Sequence, residues 1–154
     1  MAAGFGDAQD GQWYSRAVGY LSAAGIISGY EDGEFKGDAP ITRAEFVTVA
    51  SKFGNAEASE INPYNDISPD HWAYDYIMTA YMNGWVSGYP DGSFGPDDNI
   101  TRAEAFAIIN RMLGWSADAA QAYDEALASE SPFTDLRPDE WFFYDVLLAY
   151  IGKR

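Results

Sequence analysis

A chain of 154 residues and 16.9 kDa, 47% hydrophobic and 16% aromatic, is long enough and apolar enough to build one compact domain, which excludes disorder as its main state. A formal net charge of −15 with only nine dispersed basic residues argues against general nucleic-acid binding and against adhesion to an anionic bilayer. The absence of Cys and the single His exclude thiol chemistry, iron–sulfur clusters and structural zinc, and no apolar run reaches the roughly 18 residues of a membrane span, so we expect no cofactor, no metal and no membrane insertion.

The first predicted element is a helix near residues 12–24, with Trp13, Val18 and Leu21 on one stripe and Gly25 as its left-handed cap. A tight turn follows in Ser28-Gly29-Tyr30-Glu31-Asp32-Gly33-Glu34-Phe35, with a minimal strand pair as an option. Thr42 and Glu45 then form a capping box that opens a second helix over about 42–53, closed by Lys52.

After a linker at 54–63, the same order returns. At an offset of 59, residues 5–53 lie on 64–112 without a gap, and fifteen of the forty-nine pairs are identical. Ser68-Pro69-Asp70 predicts the start of a helix over 70–83, with Trp72, Ile77, Ala80 and Tyr81 facing inward and Gly84 as its cap. The turn repeats as Ser87-Gly88-Tyr89, Asp91-Gly92 and Phe94, and Thr101 with Glu104 opens a helix over about 101–113. A second linker, 114–132, holds an Ala-rich stretch at 118–128 that predicts a short extra helix. A third copy starts at Phe133 and carries Asp135, Trp141, Val146 and Tyr150 over 133–154, with a helix near 139–151. It contains neither the turn nor Thr-Arg-Ala-Glu. The chain thus reads as a single domain of two and a half units, all-α, with the three first helices as its core and the turn-helix arms outside.

One residue does not suit its position. Arg43 and Arg102 stand at the first helical position after Thr42 and Thr101, where the helix dipole is positive and a cation costs about 0.3–1 kcal/mol. A local rule broken twice at the same place suggests a site. Free N-terminal amides and a planar five-donor guanidinium favour a carboxylate or phosphate, and nearby aromatics could stack on sugar faces. The structural alternative is that each arginine clasps an acid of the following unit. Trp13, Trp72 and Trp141 serve equally as core anchors or as sugar platforms. Asp32 and Asp91 read as turn chemistry, Pro96-Asp97-Asp98-Asn99 lacks the spacing of a calcium loop, and His71 reads as a surface residue. Glu45 and Glu104 are occupied as caps, and two near-equivalent sites favour binding over a catalytic cleft, so we expect no enzyme.

Gly-Ile-Ile-Ser-Gly-Tyr-x-Asp-Gly-x-Phe with Ile-Thr-Arg-Ala-Glu-Phe at 25–46, and its near copy at 84–105, resemble the S-layer homology domain of bacterial surface proteins. The resemblance implies a pseudo-threefold helical domain, exported to the extracellular cell surface after loss of a signal peptide. There it would hold a protein non-covalently on the cell wall by binding a pyruvylated secondary wall polysaccharide. It further implies grooves between adjacent units, with Arg43 working beside Asp66 and Trp72, Arg102 beside Asp135 and Trp141, and Gly29 and Gly88 lining them. Trp85 stands where the first unit has Ile26, which would alter or repack one groove wall. With a third arginine absent, at most two such grooves form, and the incomplete third unit leaves self-association or a protein partner as the other reading.

Overall fold

The structure, a computed structural model, describes residues 4–8, 10–54, 57–115 and 132–151. Five helices are present among them: α1 Ser15–Ala23, α2 Arg43–Ser51, α3 Tyr74–Met82, α4 Arg102–Met112 and α5 Phe143–Ile151. The fold is all-α. The predicted helix at 118–128 lies outside the described residues.

The second helices begin where the capping boxes put them. The Thr42 hydroxyl accepts from the Glu45 amide at 3.1 Å while the Glu45 carboxylate accepts from the Thr42 amide at 2.8 Å, and Thr101 with Glu104 repeats the pair at 3.2 and 2.8 Å. The first helices instead start three or four residues later than predicted. Ser68-Pro69-Asp70 closes a separate turn, with the His71 amide donating to the Ser68 carbonyl and the Tyr74 amide to the His71 carbonyl, both at 2.9 Å. In the third unit Arg137-Pro138-Asp139-Glu140 does the same, the Glu140 carboxylate accepting from the Arg137 amide at 2.9 Å. The Ser-Pro-Asp signal is therefore a turn signal, and no side chain caps α3. Gly84, at φ +71°, terminates α3 as expected, letting the Trp85 amide reach back to the Ala80 carbonyl at 2.9 Å.

That extra turn rotates the tryptophans outward. Trp13, Trp72 and Trp141 are 88%, 59% and 63% exposed, so they are not core anchors, and Tyr14, Ala73 and Phe143 are buried in their neighbourhood instead. The main core gathers Ala44, Val47 and Ala50 of α2, Ile77, Met78 and Ala80 of α3, and Tyr64, Phe94 and Ile108. A satellite cluster of Ala8, Tyr14 and Val18 belongs to unit one. The closest helix packing joins units, α2 on α3 and α4 on α5, rather than the three first helices to each other. Trp85 presses on Gly54, where a Cβ would lie 2.4 Å from its ring, so the Ile26-to-Trp85 difference seals the joint between the first two units. The strand option reduces to one antiparallel bridge between Thr42 and Asn99, and it too links units one and two.

Candidate functional site

Each turn is held by an aspartate five to ten residues ahead of its first helix. The Asp66 carboxylate accepts from the Phe94 and Gly95 amides, both at 2.8 Å, and Asp7 accepts from Phe35 and Lys36 at 2.7 and 2.6 Å. The Phe35 amide is the main reason the Asp7 carboxyl sits below its usual value. Gly29 and Gly88, at φ +69° and +72°, let the turn pass within van der Waals contact of Phe5 and Tyr64.

Unit two's turn is then seated on the start of α2. The Arg43 amide donates to the Asp98 carbonyl at 2.8 Å and the Ala44 amide to the Pro96 carbonyl at 3.0 Å. The Arg43 side chain, 6% exposed, donates from Nε to the Phe94 carbonyl at 2.8 Å and from Nη1 to Glu104 Oε1 at 2.9 Å. Its guanidinium lies 4.6 Å from the Tyr89 ring centre and 4.8 Å from that of Phe94. Arg43 is thus placed as the clasp that its residue type allowed, and its helix end has no free amide to offer an anion.

Arg102 is placed differently. It is exposed, its guanidinium lies 5.9 Å from the Phe106 ring centre, and among the described residues it has no ion pair. It faces a groove of about 910 Å³ between unit two and the half unit, walled by Gly88, Tyr89, Arg102, Arg111, Asp135 and Trp141, with Arg43 and Glu104 at its edge. The groove therefore brings together Arg102, Asp135, Trp141 and Gly88; Asp66, Trp72 and Gly29 are not on its wall. Sequence reasoning missed Tyr89 and Arg111, although Tyr89 repeats Tyr30. Arg111 Nη1 donates to the Trp85 carbonyl at 3.2 Å. Trp72 carries His71 stacked on it at 5.7 Å between ring centres.

Burial raises the Glu104 carboxyl, but hydrogen bonds from Tyr89 (2.6 Å) and Thr101 and the charge of Arg43 outweigh it and hold the group below the ordinary glutamate value. Burial and the bond to Glu104 push Tyr89 up to about 12. A carboxyl lowered by folding contributes stability above its unfolded pKa of about 4.3, and that contribution is lost as pH falls through the folded value. Thermal midpoints measured from pH 6 down to pH 3 are expected to fall less steeply for Glu104→Gln than for the natural chain. Parallel curves would show that the pair adds nothing to acid sensitivity.

The model of the S-layer homology domain matches residues 4–47 and 63–106. Cell surface glycoprotein 1 of Acetivibrio thermocellus is 34% identical over 95% of this chain and 6% of its own length. The Cellulosome-anchoring protein of the same organism is 34% identical over 92% of this chain and 31% of its own. The Middle cell wall protein of Brevibacillus brevis is 32% identical over 75% of this chain and 12% of its own. The chain thus spans less than a third of each of these relatives.

Proposed function

Because this chain belongs to the S-layer homology domain family, we propose that it is a non-catalytic module that anchors a surface protein to the cell wall by binding an acidic wall polysaccharide. The observation that carries this reading is the groove in which the unpaired guanidinium of Arg102 and the exposed ring of Trp141 share one wall. A carboxylate such as a pyruvate ketal suits the forked donors of Arg102, and the face of its sugar suits Trp141. The Arg43 junction offers no equivalent, since its guanidinium is occupied by Glu104, Tyr89 and the Phe94 carbonyl. The reading is therefore one competent groove rather than two.

The charge of −15 does not prevent this. At physiological salt the screening length is about 8 Å, so a local guanidinium outweighs remote carboxylates.

The test is retention on purified Gram-positive walls. Arg102→Gln and Trp141→Ala are each expected to weaken binding about 30-fold or more, as for anchor residues of a small interface, with thermal midpoints nearly unchanged. Mild acid removal of ketal-linked pyruvate from the walls is expected to have the same effect. Retention that ignores both substitutions and the acid treatment would sink the carboxylate-reading mechanism.

A further inference from the structure

The two Thr-Arg-Ala-Glu helix ends have identical sequences and different surroundings. At α2, the amides of Arg43 and Ala44 donate to Asp98 and Pro96, the arginine side chain is gripped by the Phe94 carbonyl, the Tyr89 ring and Glu104, and Asp66 holds the amides of that same turn. Every one of these ligands is supplied by unit two. At α4, the equivalent groups are the amides of Arg102 and Ala103, the Arg102 guanidinium and the Asp135 carboxylate. None of them has a hydrogen-bond partner among the described residues. Asp135 is nevertheless mounted like Asp66: Phe133 meets Tyr150 at 5.8 Å between ring centres, as Tyr64 meets Tyr81 at 5.9 Å.

We infer that the start of α4 together with Asp135 is a docking socket for a protein segment of this molecule's own turn type, Gly-Tyr-x-Asp-Gly-x-Phe followed by Thr-Arg-Ala-Glu, presented by another polypeptide. The seated turn of unit two states what such a segment must bring. Two consecutive amides go to the Asp135 carboxylate, one carbonyl goes to Arg102 Nε, two carbonyls go to the α4 amides, and a glutamate neutralises the Arg102 guanidinium. Glu45 is the complementary open half: its counterpart Glu104 holds Arg43, whereas Glu45 meets Tyr30 and Thr42 but no cation among the described residues.

A second folded copy is a poor occupant. Its turns are already held by its own Asp7 and Asp66, and each carries a first helix that, seated as unit two is on α2, would fall on the place α5 takes against α4. A segment free of its own first helix avoids that overlap. Docking would also draw Arg102 out of solvent, as Arg43 is, so the segment and the wall carbohydrate exclude each other. That consequence rests on the function proposed above; the docking does not.

The probe is a labelled peptide with the sequence of residues 84–113, titrated against the whole chain by fluorescence anisotropy. Saturable binding is expected, weakened roughly tenfold or more by Asp135→Asn or Arg102→Gln in the chain and by Glu104→Gln in the peptide, the loss of one charge-assisted hydrogen bond. Since an isolated peptide must order itself on binding, the same thirty residues are also fused after Arg154, where the linkage raises their effective concentration. The fusion is expected to melt several degrees higher than the natural chain, and less so with Asp135→Asn. No binding by the peptide together with no rise in the fusion would overturn the socket, as would binding indifferent to Asp135 and Arg102. Concentration-dependent dimerisation of the natural chain, abolished by Arg102→Gln, would replace the free segment by a second copy and overturn the choice of occupant. Wall retention of the natural chain without peptide is scored separately, so the carbohydrate reading can fail alone; added peptide is then expected to release bound chain.

Discussion

Arg43→Gln is expected to lower the thermal midpoint by roughly 6–12 °C. The substitution leaves the Glu104 carboxylate without its cation and the Phe94 carbonyl without its donor, in a place where the two side chains are only 7% and 12% exposed. Removing one partner of a buried pair typically costs about 3–5 kcal/mol; the residual exposure of Glu104 favours the lower end, near 3, and a domain of this size shifts about 2–4 °C per kcal/mol. Arg102→Gln, the same change at the repeated position, removes no ion pair and is expected to stay within about 0.5 kcal/mol. Calorimetric melts of the two variants side by side provide the check. Equal shifts would mean that Arg43 is not the clasp, because sequence context is held constant between the two positions and only the surroundings differ. Replacing both Arg43 and Glu104 by methionine should recover much of the loss, since the main cost of the single change is the stranded charge.

Gly88→Ala is expected to cost about 3 kcal/mol, read as a fall in the urea midpoint with an unchanged slope. Two separate terms add. At φ +72° an alanine pays about 1–2 kcal/mol for the left-handed conformation. Its Cβ would also stand 2.5 Å from Tyr64 Cε1 and 2.7 Å from the Ser93 carbonyl oxygen. The carbonyl is backbone and the Tyr64 ring is buried, so neither can step aside without moving the turn. Gly84→Ala supplies the control: its φ is +71°, yet nothing lies within 4 Å of the added carbon, so only the conformational term of about 1 kcal/mol should remain. If the two variants lose the same stability, the close approach of turn and ring is not what holds Gly88. Any loss of wall binding by Gly88→Ala would then have to come from the groove wall, which Gly88 also lines.

The pattern of what was legible follows from interaction range. The capping boxes at Thr42 and Thr101 were readable because a hydroxyl and a carboxylate three residues apart satisfy each other's amides within a single turn of chain. The positive φ of Gly25, Gly84 and Gly92 was readable for the same reason. Ser68-Pro69-Asp70 misled because one local signal serves two local structures: the residues that open a helix also close a turn, and the four residues between that turn and α3 decide which way Trp72 faces. A helical stripe drawn from Trp72 through Ile77 assumes an unbroken helix, and the break puts the ring outside.

The two arginines mark the limit most sharply. Residue type and position were enough to single out Arg43 and Arg102 as unsuited to a helix start, and enough to name both a carboxylate ligand and a clasp as remedies. Choosing between them needed the neighbour: Arg43 meets Glu104, sixty-one residues on, and a turn whose carbonyls point at it, while Arg102 meets a groove.

From sequence alone came the all-α class, the two and a half units, the turn chemistry and the membership implied by its repeated motifs, because each of these is written in spacings of a few residues and copied along the chain. Tertiary structure alone decided that α2 packs on α3 and α4 on α5, that the tryptophans face solvent, and that one arginine is closed and the other open. Those depend on which unit lies against which, a contact between distant segments that two identical stretches of sequence cannot distinguish.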